Sequence, residues 1–441
     1  MRVPVVSKDG LPLMPTKPSK ARKLVRDGRA IGKWDKLNQY YIQLTFDPDR
    51  TDTQPISCGI DPGKHYGSVG LQSSKFTLFT SHIFLPFVHV KQRMEQRAMM
   101  RRNRRGRRIN RKLPFDKRAH RQKRFENRKQ SKLPPSIRAN AQLILRVVTE
   151  LTKIYPISSI VYEYVKADVD LTSGRKRAKS GKGFSPVMVG QKWILEQLFK
   201  IAPVTKKLGW QTSNLRKHLG LEKQKHFKGD AIPATHAVDA ITLASFQFID
   251  YLPFENSEGR GHCWKGRVQV TDAPFFVIRR PPISRRQLHL MVFAKGGKRR
   301  KYGGTVTRHG IRKGDYVVAE RKRMRPRADD RRLSSNGDKG GKGTSRASVV
   351  HKGVKTDKQK SPLLARTKQG IKYYGWCSGD TATQISVSDS NWKRLGQFSK
   401  NKTRLLKRST GLICKPLIRG RRFLPTLIAP QYRVGFHAEE G

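Results

Sequence analysis

The sequence predicts an α/β fold, and three stretches carry that prediction. Strand-like runs follow one another at 56–60, 67–72 and 76–85, the last rich in β-branched and aromatic residues (Phe76-Thr77-Leu78-Phe79-Thr80), which reads as a β-meander. From Ser136, behind two prolines, Leu143, Ile144, Val147, Val148, Leu151 and Ile154 recur at helical spacing, so this helix packs against a sheet. After Pro156, Ser159-Ile160-Val161-Tyr162-Glu163-Tyr164-Val165 reads as a further strand.

The chain before the meander mixes short apolar runs with Pro, Gly and Lys. Val3-Pro4-Val5-Val6 is read as a strand, Pro12-Leu13-Met14-Pro15 as an irregular link with two fixed φ angles, and Tyr40–Phe46 as another strand. Between them, residues 19–28 predict a short helix with Ser19 as cap and Gly28 as stop. Its basic residues suit phosphate and solvent equally well.

The first strand of the meander ends in Ile60-Asp61-Pro62-Gly63. Pro fixes φ and Gly accepts a positive φ, so a tight reversal follows and Asp61 is delivered at the strand end. Taken alone, the tetrapeptide also reads as a surface turn. Glu163 is a second carboxylate among apolar neighbours, and an edge-strand residue facing water is its plainer reading.

Between Lys91 and Arg128 the pattern breaks. Arg93, Arg97, Arg101, Arg102, Arg104, Arg105, Arg107, Arg108 and Arg111 crowd together with few acids to pair them. Helix propensity is good up to Arg105, yet at about 100° per residue the arginines fall all round the cylinder and leave no apolar stripe. Such a helix needs anions on more than one side, as between nucleic-acid strands, where each neutralised phosphate steepens the salt dependence. The alternative is a disordered basic arm, and both bind nucleic acid.

Further on come a Gly/Ser/Lys-rich loop at 168–186, a helix at about 188–201 and a basic linker containing Arg216-Lys217-His218. The segment from Pro233 to Ala244 starts as helices do and is built of small and apolar residues. His236 and Asp239, three apart within it, share a helical face. Each would cost ~1–3 kcal/mol if buried without a partner. For His236 a satisfied core histidine stays open. Beyond residue 252, runs at 275–278, 288–293 and 315–319 suggest a small twisted β module. Residues 321–361 have almost no apolar content and read as a mobile loop or one ordered only on RNA.

Charge sets the class of partner. The 441 residues hold 94 Lys+Arg against 32 Asp+Glu, a formal net charge of +62, which calls for a polyanion. No run approaches the ~18 apolar residues of a spanning helix, and the N-terminus has no signal-peptide core, so a soluble, intracellular protein with no membrane partner is expected. Cys58, Cys263, Cys377 and Cys414 are far apart, which argues against a disulfide framework and a zinc ribbon and leaves Cys58 as a small core residue. Asp61, Glu163 and Asp239 are then three acids on apolar elements. Gathered carboxylates repel, and hard oxygen ligands select Mg²⁺, with Mn²⁺ as substitute. Two such ions roughly 3.5–4 Å apart activate water and stabilise the leaving oxygen of a phosphodiester. His236 could orient or deprotonate that water.

The order Gly59-Ile60-Asp61-Pro62-Gly63, an Arg-rich helix, Ile160-Val161-Tyr162-Glu163, then Thr235-His236-Ala237-Val238-Asp239-Ala240 resembles a RuvC-like nuclease of RNase H type split by a bridge helix. This is the pattern of the transposon-encoded RNA-guided IscB and IsrB families. Pro12-Leu13-Met14-Pro15 resembles the motif that names the PLMP domain, and Ser284-Arg285-Arg286-Gln287-Leu288 and Tyr302-Gly303-Gly304 extend the likeness. Residues 164–235 offer no His-Asn-His set, so the chain is most similar to IsrB, which lacks the HNH insert.

The resemblance implies a PLMP domain at 1–52, RuvC segment I at 53–90, a bridge helix at 91–128 and RuvC segments II and III at 129–250. A C-terminal β-rich basic region at 251–441 would bind RNA and read a flanking motif. It implies a magnesium-dependent DNA nickase acting on the displaced strand of a guide-matched duplex, one protein per large guide (omega) RNA, in a prokaryotic cytoplasm and on the nucleoid when bound to target. Metal would be held by Asp61, Glu163 and Asp239 with His236 assisting, and nucleic acid by the nine arginines. Two rivals remain: a junction resolvase or transposase acting without RNA, and a non-enzymatic basic protein coating RNA.

Overall fold

The structure is a computed structural model. It describes residues 1–106, 110, 112–117, 133–165, 186–256, 259–282, 306–321, 364–367 and 370–416. The expectations for Arg107, Arg108, Arg111, residues 118–128, the 168–186 loop before Pro186, the motifs at 284–288 and 302–304, the run at 288–293 and the 321–361 loop beyond Arg321 lie outside the described residues. The chain divides into two compact units, one holding the described residues up to Pro282 and from Thr410, the other those from 306 to 409.

The first unit opens with a small sheet of β1 (Val3–Val6), β2 (Pro12–Thr16), β3 (Ala30–Trp34) and β4 (Tyr40–Leu44), in the order β2-β1-β4-β3, with α1 (Pro18–Arg26) between β2 and β3. The sequence reading of Pro12–Pro15 as an irregular link is corrected. The segment pairs with β1, and its edge position tolerates prolines because one side of the strand needs no N–H. Ser19 is not the cap of α1: Lys17 stands there without a side-chain bond, and Pro18 starts the helix with an N–H that would have been unsatisfied anyway. Gly28, at φ +69°, follows the helix end as a left-handed stop.

Leu37, in the β3–β4 turn, is fully buried in the hydrophobic cluster of the main sheet, and Gln39 Nε2 donates to the buried Tyr155 hydroxyl at 2.5 Å. The small sheet is thereby keyed into the main core. Leu37→Ala is expected to destabilise the protein by about 2–5 kcal/mol, read as a drop in denaturation midpoint.

The main sheet uses β5 (Ile56–Asp61), β6 (Tyr66–Ser73), β7 (Thr77–Phe84), β8 (Ser159–Tyr164), β9 (Val204–Leu208), β12 (Phe275–Arg279) and β19 (Ile413–Pro416), in the order β19-β12-β7-β6-β5-β8-β9. β5, β8 and β9 run parallel, and β6 is antiparallel to both β5 and β7. Five strands in the order β7-β6-β5-β8-β9 with only the second reversed give the mixed α/β sheet expected of an RNase H-like core. The helices are α2 (Phe87–Gly106), α3 (Pro135–Leu151), α4 (Pro186–Leu198), α5 (Gly209–His218) and, after a π-helical turn at Pro233–Ala237, α6 (Val238–Ser245). The apolar stripe of α3 is buried as its spacing predicts, with Leu143, Ile144, Val147, Val148 and Leu151 at most 4 % exposed.

Two further readings change. The run at 275–278 does not belong to a separate C-terminal module: it is β12, parallel to β7 in the main sheet. The basic linker before Pro233 is ordered as β9 and α5. β10 (Ile249–Asn256) and β11 (Gly259–Gly266) form a hairpin that is a sheet of its own. No described helix is long and apolar enough to cross a membrane.

The second unit is a β-sheet of β13 (Tyr316–Arg321), β14 (Leu364–Thr367), β15 (Gly370–Asp380), β16 (Gln384–Ser388), β17 (Arg394–Ser399) and β18 (Thr403–Lys407). Its small core contains Val317, Ala319, Cys377, Ile385, Val387 and Phe398. None of the four cysteines is in a disulfide, and Cys58 is buried in the main core.

Candidate active site

Strand alternation puts the three acids on one face of the main sheet. In β5, Ile56, Cys58 and Ile60 pack into the cluster shared with α3 and α4, so Gly59 and Asp61 point the other way. In β8, Ile160 and Tyr162 belong to that same cluster, whereas Val161 packs with Leu215 of α5 and Leu243 of α6. Glu163 therefore faces the α5/α6 side with Val161. The parallel register pairs Gly59 with Val161 and Ile60 with Tyr162, so Asp61 and Glu163 stand at adjacent strand ends.

Glycines let α6 close on this face. A Cβ on Gly59 would lie 1.9 Å from the Ala240 carbonyl oxygen and 2.5 Å from the Ala244 nitrogen, and one on Gly70 would sit 3.2 Å from Ala240. The helix backbone occupies the space those side chains would take. Asp239, next to Ala240, is thereby pressed toward the sheet and is 2 % exposed. Gly63 is needed for a similar reason. It is not among the glycines with positive φ, so the conformational role expected of it is corrected: a Cβ there would meet the Tyr66 carbonyl oxygen at 1.9 Å.

His236 Nδ1 lies 3.0 Å from Asp61 Oδ2. A carboxylate oxygen accepts, so Nδ1 is the donor of this bond. Nε2 is buried without a hydrogen-bond partner. The ring sits near Tyr66 and His82, at centroid distances of 5.8 and 5.4 Å. Burial and the neighbouring His236 lower the His82 pKa to about 4, so His82 packs there as a neutral ring. His236 and Asp239 do not act as the shared pair their spacing suggests. His236 turns to Asp61, while Asp239 Oδ1 accepts from Arg216 Nη1 at 2.6 Å and its Oδ2 accepts from Lys223.

The carboxylates feel one another. Burial raises the Glu163 pKa to about 7, with further upward pushes from Asp61 and then Asp239, offset in part by Lys223 and Arg216. Among the described residues no group of three His, Cys, Asp or Glu side chains is drawn close enough to enclose a metal ion, and Asp239 is held instead by its two cations. A cleft of about 430 Å³ opens beside Glu163 and Asp239 and is lined by Arg216, Lys223, Lys225 and Lys228. Two acids and four cations line one cleft, an arrangement that can attract a polyanion.

Sequence reasoning brought Asp61, Glu163, His236 and Asp239 to one face but missed Arg216, Lys223, Lys225, Lys228, Tyr66 and His82. His82 left a signal, as an imidazole in a strand of apolar and hydroxyl residues. The lysines left none among so many. Of the arginines expected on nucleic acid, Arg93 is half-buried on α2 and Arg97 and Arg101 are exposed; the side chains of Arg102, Arg104 and Arg105 lie outside the described residues.

Fold and cleft define an α/β protein with an RNase H-like sheet and an acidic centre at adjoining strand ends. Residues 3–183 match a family model described as RRXRR protein, and Arg101-Arg102-Asn103-Arg104-Arg105 reads as that name spells. Among solved structures, the chain is similar to a Thermus thermophilus RuvC in complex with Holliday junction substrate, at 14% identity and a TM-score of 0.23, covering 43% of this chain and 90% of that one. A second Thermus thermophilus RuvC structure matches at 13% identity with the same TM-score and coverage. No curated protein sequence matches the chain.

Proposed function

We propose that this protein is a metal-dependent nuclease of RuvC type that nicks DNA under the guidance of a bound RNA. The observation that carries the hydrolytic part is the convergence of Asp61, Glu163 and Asp239 on one sheet face, close enough for the other two acids to raise the Glu163 pKa. The donor set fits a divalent ion: all oxygen, hard, and mutually repelling until a cation neutralises it. Asp61, Glu163 and Asp239 would hold it. When bound, such an ion lowers the pKa of a coordinated water and stabilises the leaving oxygen.

The chain's own residues do the rest. By accepting from His236 Nδ1, Asp61 fixes the imidazole beside the acids, where it would assist an attacking water. Arg216, Lys223, Lys225 and Lys228 hold phosphates beside the acids. RNA guidance is supported by the net charge of +62, by the Arg-rich stretch and by the order of motifs, and the family match spans β5, the Arg-rich stretch and β8. The test is to purify the protein with its RNA, sequence that RNA, and incubate the particle with duplex matching the guide. Magnesium-dependent nicking of one strand is expected, and a particle without RNA that cuts branched junctions would overturn the reading.

Lys223 and a divalent ion compete for the same Asp239 oxygen. Lys223→Met is therefore expected to lower the magnesium concentration for half-maximal nicking roughly fivefold, the low end of common site couplings. A magnesium titration of the two proteins checks it.

A further inference from the structure

The β10–β11 hairpin carries a set of rings that the cleft does not use. Register pairs Ile249 with Gly266, Tyr251 with Trp264 and Pro253 with His262, so these residues share one face. The base of that face is core: Ile249 is 3 % exposed and packs with Leu215, Leu243, Phe246 and the partly buried Trp264. The outer part is not, for Tyr251 is 51 % exposed and His262 is exposed too.

The rings form a continuous ladder. His218, at the end of α5, stacks on Trp264 at 5.0 Å and 19°. Trp264 meets Tyr251 at 4.7 Å, and Tyr251 stacks on His262 at 5.1 Å and 17°. Among the described strands, β10 and β11 pair only with each other. Lys217 and Arg267 stand exposed next to these rings in sequence, while Lys265 alternates to the other face of β11. The ladder starts two residues from Arg216, which lines the cleft.

We propose that this ladder is a stacking platform for the bases of single-stranded nucleic acid whose backbone leads to the cleft. Flat rings stack on any base, and cations beside them hold phosphates, which together select an unpaired strand over a duplex whose bases already stack. An apolar protein partner would meet charge at Lys217 and Arg267. The direction of the strand toward the acids rests on the nuclease reading; the stacking does not.

The full-length protein is titrated into fluorescein-labelled oligo-dT, oligo-rU, an abasic oligomer of equal length and a duplex, with anisotropy as readout. Tyr251→Ala combined with His262→Ala is expected to weaken oligo-dT or oligo-rU binding about tenfold or more. Binding of the abasic oligomer should not change, and Tyr251→Phe should retain the wild-type affinity. Tighter binding of oligo-rU would identify RNA as the source of the strand, and tighter binding of oligo-dT would identify DNA. An equal loss on abasic and base-bearing oligomers, or no loss, overturns the platform. Both substituted rings are exposed, so melting should be unaltered; if it falls, His262→Ala alone makes the same comparison. Failure of cleavage with this stacking intact would count against the nuclease reading and leave the platform standing.

Discussion

On the nuclease reading, Asp61→Ala is expected to lower strand cleavage by at least about a thousandfold, or about 4 kcal/mol of barrier, and to leave RNA and target DNA binding in place. Asp61 is asked to do two things at once. It contributes charge to the acidic cluster, pushing up the Glu163 pKa, and it accepts the hydrogen bond that orients His236. Asp61→Asn separates them, because an amide can still accept from Nδ1 but carries no charge. If Asp61 served only to orient His236, the Asn variant would cleave near the wild-type rate. Metal holding requires the anion, so both variants are expected to be inactive. Gel assays of guide-matched supercoiled plasmid give the rates, and a mobility shift gives the binding. Wild-type cleavage by the Ala variant would remove Asp61 from the site.

The parts of this site that were legible in sequence share one property: they are local exceptions. A carboxylate within Ile56–Asp61 or Ser159–Tyr164 stands out because strands of that composition are built to be buried. Period two sets the face of each acid within its own strand, and the β5–β8 register makes it the same face. What could not be read was set by distant partners. Val204-Thr205-Lys206-Lys207-Leu208 reads as linker because two lysines interrupt it, yet these residues suit the sheet edge that β9 occupies. β12 reads as part of a later module because nothing local announces its pairing with β7, some two hundred residues earlier. Arg216 and Lys223 became visible only when Asp239 was placed between them. Gly63 was noticed for its turn, and Gly59 only as a member of the strand that leads to Asp61. The reason Gly59 is a glycine is the nearness of the Ala240 backbone, which no local pattern encodes.

Gly59→Ala tests that nearness directly. Its new Cβ would overlap the Ala240 carbonyl oxygen, and backbone cannot rotate aside as a flexible side chain would. Either β5 or α6 must move, at a cost of about 1–3 kcal/mol, the usual range for overpacking. Movement of α6 carries Asp239 with it. A displacement near 1 Å in a catalytic group can cost about a hundredfold in rate. Gly70→Ala is the graded control, since its Cβ would stand 3.2 Å from Ala240 and a shift of a few tenths of an ångström accommodates it. The expected order in both melting temperature and nicking rate is therefore wild type, then Gly70→Ala, then Gly59→Ala. A Gly59→Ala protein that melts and cleaves as the wild type does would mean that α6 is not seated on β5, and the three acids would then lack the support that brings them together.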